Sequence, residues 1–135
     1  MTGEAMKNAR DSLDRCMARE GFLDSFYNRF LQTSPVIAKK FEGTDFERQK
    51  DVLSQSLHLM LVGAGATEGP AFEELKRIGH VHNRENRDIT PDLYDVWLES
   101  LMDTVREFDG MYTPELESDW RSSLKPGIDL LISRY

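Results

Sequence analysis

The sequence contains a single cysteine, and this scarcity excludes several classes of protein. Cys16 cannot form an intramolecular disulfide, and no CxxC pair is present to hold a metal ion or carry redox chemistry. Only three histidines occur, with neither an HxxxH nor an HExxH pair, so a classical zinc hydrolase site has no support. The sequence motifs of a nucleophile elbow, a P-loop and a dinucleotide-binding turn are absent as well.

Positive charge and long apolar runs are also scarce. The chain has 17 basic against 24 acidic residues, a formal net charge of −7, and no basic patch. The first residues, "MTGEAMKNARDSLDRC", lack the apolar core of a signal peptide, and no apolar run approaches the length of a membrane span. We therefore expect a cytoplasmic protein with neither nucleic acid nor a membrane as partner.

Helical periodicity is the strongest pattern that the sequence does contain. Apolar residues recur at helical spacing over 3–18 and 21–32, and strand-like alternation is nearly absent. Ser34 as a cap and Pro35 in the first turn predict a short helix, and a longer helix is predicted over 45–63. The length of 135 residues suits one domain, 1–135, which can bury a core without disulfides or metal ions.

Proline marks the starts of the later helices. Pro70 opens one helix, and Thr90 and Thr113 each precede a proline and an acidic residue, which predicts two further helices with capping threonines. Pro126, followed by glycine, predicts a kink or an interruption of the last helix, because proline removes a backbone donor. The fold class predicted is all-α, with roughly six to seven helices.

The histidines at positions 80 and 82 face different sides of the predicted helix that begins at Pro70. His82 shares one face with Leu75 and Ile78, at spacings of i, i+3 and i+7, whereas His80 lies off this stripe and nearer to solvent. The helix alone leaves two readings of His82 open, a core histidine bonded to a carbonyl, which is the commoner case, and a metal ligand.

Three stretches of the sequence resemble the single-domain bacterial globins, and the resemblance covers essentially the whole chain. "FYNRFLQTSPVIAKKF" is similar to the second and third helices of that family, with Tyr27 in the distal pocket and Phe41 stacking on the porphyrin. "ERQKDVL" resembles the start of the distal helix, with Gln49 in the ligand-contacting position and Leu53 one turn further. "RIGHVH" followed by "ITPDLYDVW" resembles the proximal helix and its successor, which implies that His82 is the proximal iron ligand.

The resemblance implies a globin fold enclosing haem b (iron protoporphyrin IX). Tyr94 and Trp97 fall where the family places aromatic residues beside the proximal face of the haem. The apolar lining that we expect comprises Phe41, Leu53, Leu75, Ile78, Ile89, Trp97 and Leu101. Candidates for contact with the haem propionates are Arg48, Lys50, His80, Arg84 and Arg87.

The function implied by the resemblance is reversible binding of oxygen, and of other diatomic gases such as nitric oxide and carbon monoxide. Tyr27 and Gln49 are suitable hydrogen-bond donors, and such a pair implies high oxygen affinity. Nitric oxide dioxygenase activity would require an external reductase, since we expect 135 residues to leave no room for one. "GIDLLISRY" offers no glutamate to activate the proximal histidine, so peroxidase-like activation is not expected.

Two matters stay open after the resemblance is taken into account. The chain could act as a monomer or a homodimer. The alternative function is a gas-sensing or regulatory globin-fold module that acts through protein partners, with or without haem. Modules without haem tend to lack the proximal histidine, so the presence of His82 together with Tyr27 and Gln49 favours the first function.

Overall fold

The computed structural model describes residues 2–63, 70, 73, 74, 76, 77 and 90–133, and these residues form helices and short connections. Within these ranges the continuous helices are α1 (Thr2–Met17), α2 (Phe22–Leu31), α3 (Pro35–Lys40), α4 (Phe46–Gly63), α5 (Pro91–Phe108) and α6 (Pro114–Ser133). Residues 70, 73, 74, 76 and 77 are helical too, and no strand occurs in the described ranges. The all-α prediction is confirmed, and the predicted helix ends agree to within a residue or two.

The prolines begin helices as predicted, but the threonines before them differ in their hydrogen bonds. Ser34 caps α3 by accepting a hydrogen bond from the Val36 amide at 3.1 Å, and the Thr113 hydroxyl accepts one from the Leu116 amide at 3.0 Å. The Thr90 side chain makes no capping bond to α5, and its backbone carbonyl accepts from the Leu93 amide instead. The expectation of a capping hydroxyl at Thr90 was therefore wrong.

The sequence predicted a kink or an interruption at Pro126, and helix α6 continues through this residue, so it is not interrupted there. A proline in a helix interior costs about 3 kcal/mol, because one backbone hydrogen bond is lost and the ring crowds the preceding turn. Apolar residues on both sides of the proline, Trp120, Leu124, Ile128 and Leu131, are buried. Since burying one large apolar side chain contributes about 1.5–3 kcal/mol, this face offsets the cost and keeps the helix continuous.

The helices pack so that α4 forms one wall of the fold. α1 lies against α6, α2 lies against α5, and α4 contacts both α1 and α6. The largest fully buried side chains, which form the centre of the core, include Phe22, Phe26, Leu57, Leu61 and Trp120. The Arg10 guanidinium on α1 donates to the Leu61 carbonyl at 3.1 Å, near the carboxyl end of α4, where such a cation is favourable. In the described part of the chain, no helix is sufficiently long and apolar to cross a membrane.

Candidate functional site

A cavity of about 740 Å³ opens beside α4. Its volume lies within the range of roughly 300–1,000 Å³ that small-molecule and cofactor pockets occupy. The described residues that line it are Tyr27, Phe30, Ile37, Lys40, Phe41, Glu42, Gly43, Thr44, Asp45, Arg48, Gln49, Val52, Leu53, Ser56, Met60, Arg77, Leu93, Tyr94, Trp97 and Leu131. Charged side chains occur mainly at its solvent edge, whereas aromatic and aliphatic side chains line its interior.

One face of α4 supplies the longest wall of the cavity. Gln49, Leu53, Ser56 and Met60 follow one another at steps of four, three and four residues, which places them on the same side of the helix. At 1.5 Å per residue, the distance from Arg48 to Met60 is about 18 Å along the axis. The cavity therefore reaches from the solvent-exposed first turn of α4 to the buried Met60 near its other end.

Tyr27 places a buried phenolic hydroxyl in this cavity. The side chain is only 5% exposed, and its hydroxyl donates to the backbone carbonyl of Gln49 at 3.4 Å. Burial raises the pKa of Tyr27 to about 12, although an interaction with the Gln49 side chain acts in the opposite direction. The hydroxyl therefore keeps its proton at neutral pH and remains a hydrogen-bond donor.

Phe41 and Gln49 approach Tyr27 from the turn after α3 and from α4. The Phe41 ring is half-buried and lies edge-on to Tyr27, with 6.0 Å between ring centroids. The Gln49 side chain lines the cavity and lies close enough to the Tyr27 hydroxyl to influence its pKa. Phe46, which sequence reasoning missed, completes the aromatic group by packing edge-on against Tyr27 at 5.5 Å. Phe46 is the first residue of α4 and lies three residues before Gln49, and this closeness to a predicted site residue was the signal that could have identified it.

Helix α5 contributes the opposite wall. Tyr94 and Trp97 are one turn apart and both line the cavity, together with Leu93. Burial raises the pKa of Tyr94 to about 12, so this phenol is also neutral. Leu101, one further turn along, is fully buried in the helical core and is not part of the described lining.

The helix predicted to carry the proximal ligand, and the corner that follows it, lie largely outside the described residues. This part of the prediction comprises the metal ligand His82, the lining residues Leu75, Ile78 and Ile89, and the rim candidates His80, Arg84 and Arg87. The roles assigned to these residues stay predictions. Across the ranges that the structure covers, no group of three or more histidine, cysteine, aspartate or glutamate side chains could hold a metal ion.

The basic residues near the cavity divide into two groups. Lys40, Arg48 and Arg77 line the cavity. Arg77 pairs with Glu74 at 2.5 Å, whereas the Arg48 guanidinium forms no ion pair with a carboxylate of the described residues. Lys50, which was also a candidate, instead bridges Asp24 and Glu47 at 2.9 Å each and does not line the cavity.

Sequence reasoning also missed several residues of the cavity lining, including those at its inner end. Ile37, Ser56, Met60 and Leu131 belong to this group, and the regular spacing along α4 could have identified two of them. Leu131 on α6 lines the cavity, so this helix contributes an apolar side chain to the cavity wall.

Comparison with known proteins defines the class to which this arrangement belongs. No family model and no curated protein sequence matches the chain. A crystal structure of a protein from Pseudomonas aeruginosa PAO1, described as structurally highly homologous to a human haemoglobin, aligns with a TM-score of 0.91. The two chains share 35% sequence identity, and the alignment covers 97% of this chain and 98% of the other. The chain therefore belongs to the single-domain bacterial globins.

Proposed function

We propose that this globin binds haem b in the cavity beside α4, with His82 as the iron ligand, and reversibly binds oxygen and other diatomic gases. One observation carries the proposal. Of the ten residues predicted to contact the haem, seven are described, and six of these line a single cavity: Tyr27, Phe41, Gln49, Leu53, Tyr94 and Trp97. They come from four different parts of the chain, so helical periodicity alone would not bring them together.

The described residues fit a flat, largely apolar group that carries carboxylates. Aromatic and aliphatic side chains such as Phe41, Leu53 and Trp97 would contact its faces, while Arg48 at the edge would pair with one of its negative charges. Haem supplies an iron that one imidazole can hold while the opposite face stays open to a diatomic gas. The apolar lining excludes water, which strengthens any hydrogen bond made inside the cavity.

Tyr27 is the donor that would act on the gas. Its hydrogen bond to the Gln49 carbonyl, at 3.4 Å, is longer than the usual 2.5–3.0 Å of such bonds, so reorienting the hydroxyl toward a ligand costs little. A pKa of about 12 keeps the proton on the hydroxyl throughout the physiological range. The amide group of Gln49 can donate from the adjacent turn of α4. Two donors favour slow release of oxygen and thus high affinity.

The open cavity supports this function over a regulatory module without haem, which would fill the same space with bulky side chains. Any nitric oxide dioxygenase activity of the haem-bound protein would require a source of electrons to reduce the iron.

The absorption spectrum of the purified protein, before and after addition of haemin, tests the proposal. We expect a Soret band that shifts with carbon monoxide and is lost in His82→Ala. His58→Ala is the matched control, since His58 is exposed on α4 and its ring nitrogen bonds the Ser54 carbonyl at 2.7 Å; its spectrum should be unchanged. A colourless protein that takes up no haemin would overturn the proposal.

A further inference from the structure

Gly127 lies in direct contact with a residue of the cavity wall. It follows Pro126 within α6 and is buried. A Cβ atom placed on Gly127 would lie 2.8 Å from Cγ of Met60, 3.3 Å from its Sδ and 3.5 Å from its Cβ. Real Cβ atoms essentially never approach another heavy atom to within 3.0 Å, so the Met60 side chain occupies the space that any other residue at position 127 would fill.

The backbone gives no other reason for a glycine at this position. In the described ranges the glycines with positive φ are Gly21 and Gly43, whereas Gly127 has ordinary helical geometry. Glycine in a helix interior is less favourable than alanine, because its backbone loses more conformational freedom on folding. Among the described residues, the close approach of Met60 accounts for the missing side chain.

Met60 separates Gly127 from the cavity. It is 4% exposed, it lines the inner end together with Leu131, and Leu131 lies one turn beyond Gly127 on the same face of α6. Cγ is the atom that a Cβ on residue 127 would meet first, and it is the first carbon beyond the Met60 Cβ. A clash there requires rotation about the first side-chain bond and moves the whole thioether.

We propose that the contact between Gly127 and Met60 sets the depth of the cavity and thereby the size of the apolar ligand that its inner end accepts. With glycine at 127, the Met60 side chain lies back against α6 and leaves the inner end open. With a larger residue, this flexible side chain moves toward the free volume on its other side, which is the cavity. The two residues thus act as a specificity-determining pair.

The effect of this pair on the size of the ligand that binds beside haem rests on the proposed function. The depth of the cavity itself can be measured without haem. Xenon binds dry apolar cavities, so it is a suitable probe. The methyl groups of the methionines can be labelled with carbon-13, and the Met60 signal assigned from its loss in Met60→Ala. We expect xenon to shift the Met60 signal in the unmodified chain and in the matched control Gly110→Ala, because a Cβ on Gly110 meets nothing within 4 Å.

The variants Gly127→Ala and Gly127→Ala/Met60→Ala separate cavity depth from a general loss of packing. We expect the first to weaken xenon binding by about tenfold or more, the discrimination that one extra methylene produces in an apolar pocket. The double variant removes the displaced side chain and should restore xenon binding. Because Met60 is absent from this variant, binding is followed through the labelled methyl group of another methionine near the cavity. Unchanged xenon binding in folded Gly127→Ala, or no recovery in the double variant, would overturn the proposal.

If Gly127→Ala does not fold, Met60→Ala alone decides. Truncation adds apolar space at the inner end of the cavity, so this variant should bind benzene more tightly than the unmodified chain does. Equal benzene affinity in the two chains would contradict the proposal. In the haem-loaded protein, Gly127→Ala should slow binding of n-butyl isocyanide relative to carbon monoxide, whereas Gly110→Ala should not. A chain that takes up no haemin fails the proposed function, and the xenon result still decides the depth of the cavity.

Discussion

Asp109, just after α5, and Tyr27, in the cavity wall, are both buried polar residues, yet their hydrogen bonding differs. The Asp109 carboxylate is 2% exposed and accepts from the Ser12 hydroxyl at 2.5 Å, from Arg15 at 2.8 and 2.9 Å and from the Met111 amide at 2.9 Å. Within the described residues, the hydrogen bond that the Tyr27 hydroxyl donates goes to the Gln49 carbonyl, and that bond is long. One group is saturated by the chain itself, while the other retains capacity for a further partner.

This difference separates the part of the molecule that holds the fold from the part that can bind. Burial alone raises the pKa of Asp109, but the hydrogen bonds from Arg15, Ser12 and the Met111 amide outweigh it and hold the pKa below its ordinary value. The Trp120 indole donates to the Ser12 hydroxyl at 2.9 Å, so the cluster joins α1, α6 and the end of α5. At the cavity, burial stabilises the neutral form of Tyr27, which suits a donor that awaits a ligand.

The largest effect is expected from removing the carboxylate of the saturated cluster. Asp109→Ala leaves the buried Ser12 hydroxyl without its acceptor and Arg15 without its carboxylate, so we expect the free energy of unfolding to fall by about 2–4 kcal/mol. Urea denaturation measures this change. Haemin uptake by the folded variant should stay stoichiometric, because Asp109 does not line the cavity.

Asp103→Ala is the control for this variant. Asp103 is exposed on α5 and pairs with Arg106 at 3.5 Å, so its removal should change the unfolding free energy by no more than about 0.5 kcal/mol. Equal losses in the two variants would show that the saturated cluster has no special role in stability.

The same carboxylate should make the stability depend on pH in acid. A pKa lowered in the folded state means that the unfolded chain binds the proton more tightly. The stabilisation is therefore complete above the ordinary value of 3.8 and is lost as the pH falls through the lower folded value. Unfolding free energies measured from pH 7 down to pH 3 should decline less steeply in Asp109→Asn than in the unmodified chain. Parallel curves would contradict this assignment.

A smaller effect is expected from removing the Tyr27 hydroxyl in the cavity, and it should change ligand binding more than stability. Tyr27→Phe removes one long hydrogen bond, so the free energy of unfolding should change by less than about 1 kcal/mol. Oxygen dissociation from the haem-loaded protein should accelerate, since losing a donor in a dry cavity weakens ligand binding by about 1–3 kcal/mol, or about 5–150-fold. Stopped-flow measurement of the off-rate decides, with Tyr112→Phe as control, because Tyr112 bonds Glu117 outside the cavity. An unchanged off-rate in Tyr27→Phe would exclude it as a donor.

The features that were predictable from the sequence are those that depend on local spacing. The helices follow from period-3.6 patterns and from the proline starts. Tyr27, Phe41 and Gln49 were placed together by their resemblance to the globins, and the structure brings all three to one cavity. Leu101 continues the same stripe of α5 as Tyr94 and Trp97, yet it is buried in the core, because spacing along one helix does not define which neighbour a residue meets.

The features that were not predictable depend on partners far apart in the chain. Asp109 lies 97 residues from Ser12 and 94 from Arg15, and no local pattern indicates that these three residues meet. The pairing of Gly127 with Met60 is of the same kind, since only the packing of α6 on α4 brings them into contact. The interruption expected at Pro126 failed because burial on both sides of the proline outweighs its local cost.

The smallest effect is expected on haemin affinity, when either of two cations that lie two residues apart on α4 is replaced. Arg48 lines the cavity, whereas Lys50 is held by Asp24 and Glu47, whose hydrogen bonds raise the pKa of its ammonium group. We expect Arg48→Gln to weaken haemin binding by about two- to fivefold, the range of an exposed ion pair, and Lys50→Gln to leave it unchanged. Haemin dimethyl ester, which lacks the two carboxylates, should bind the unmodified chain and Arg48→Gln equally. Equal weakening by both substitutions, or a loss that persists with the ester, would show that Arg48 does not pair with the haem carboxylates.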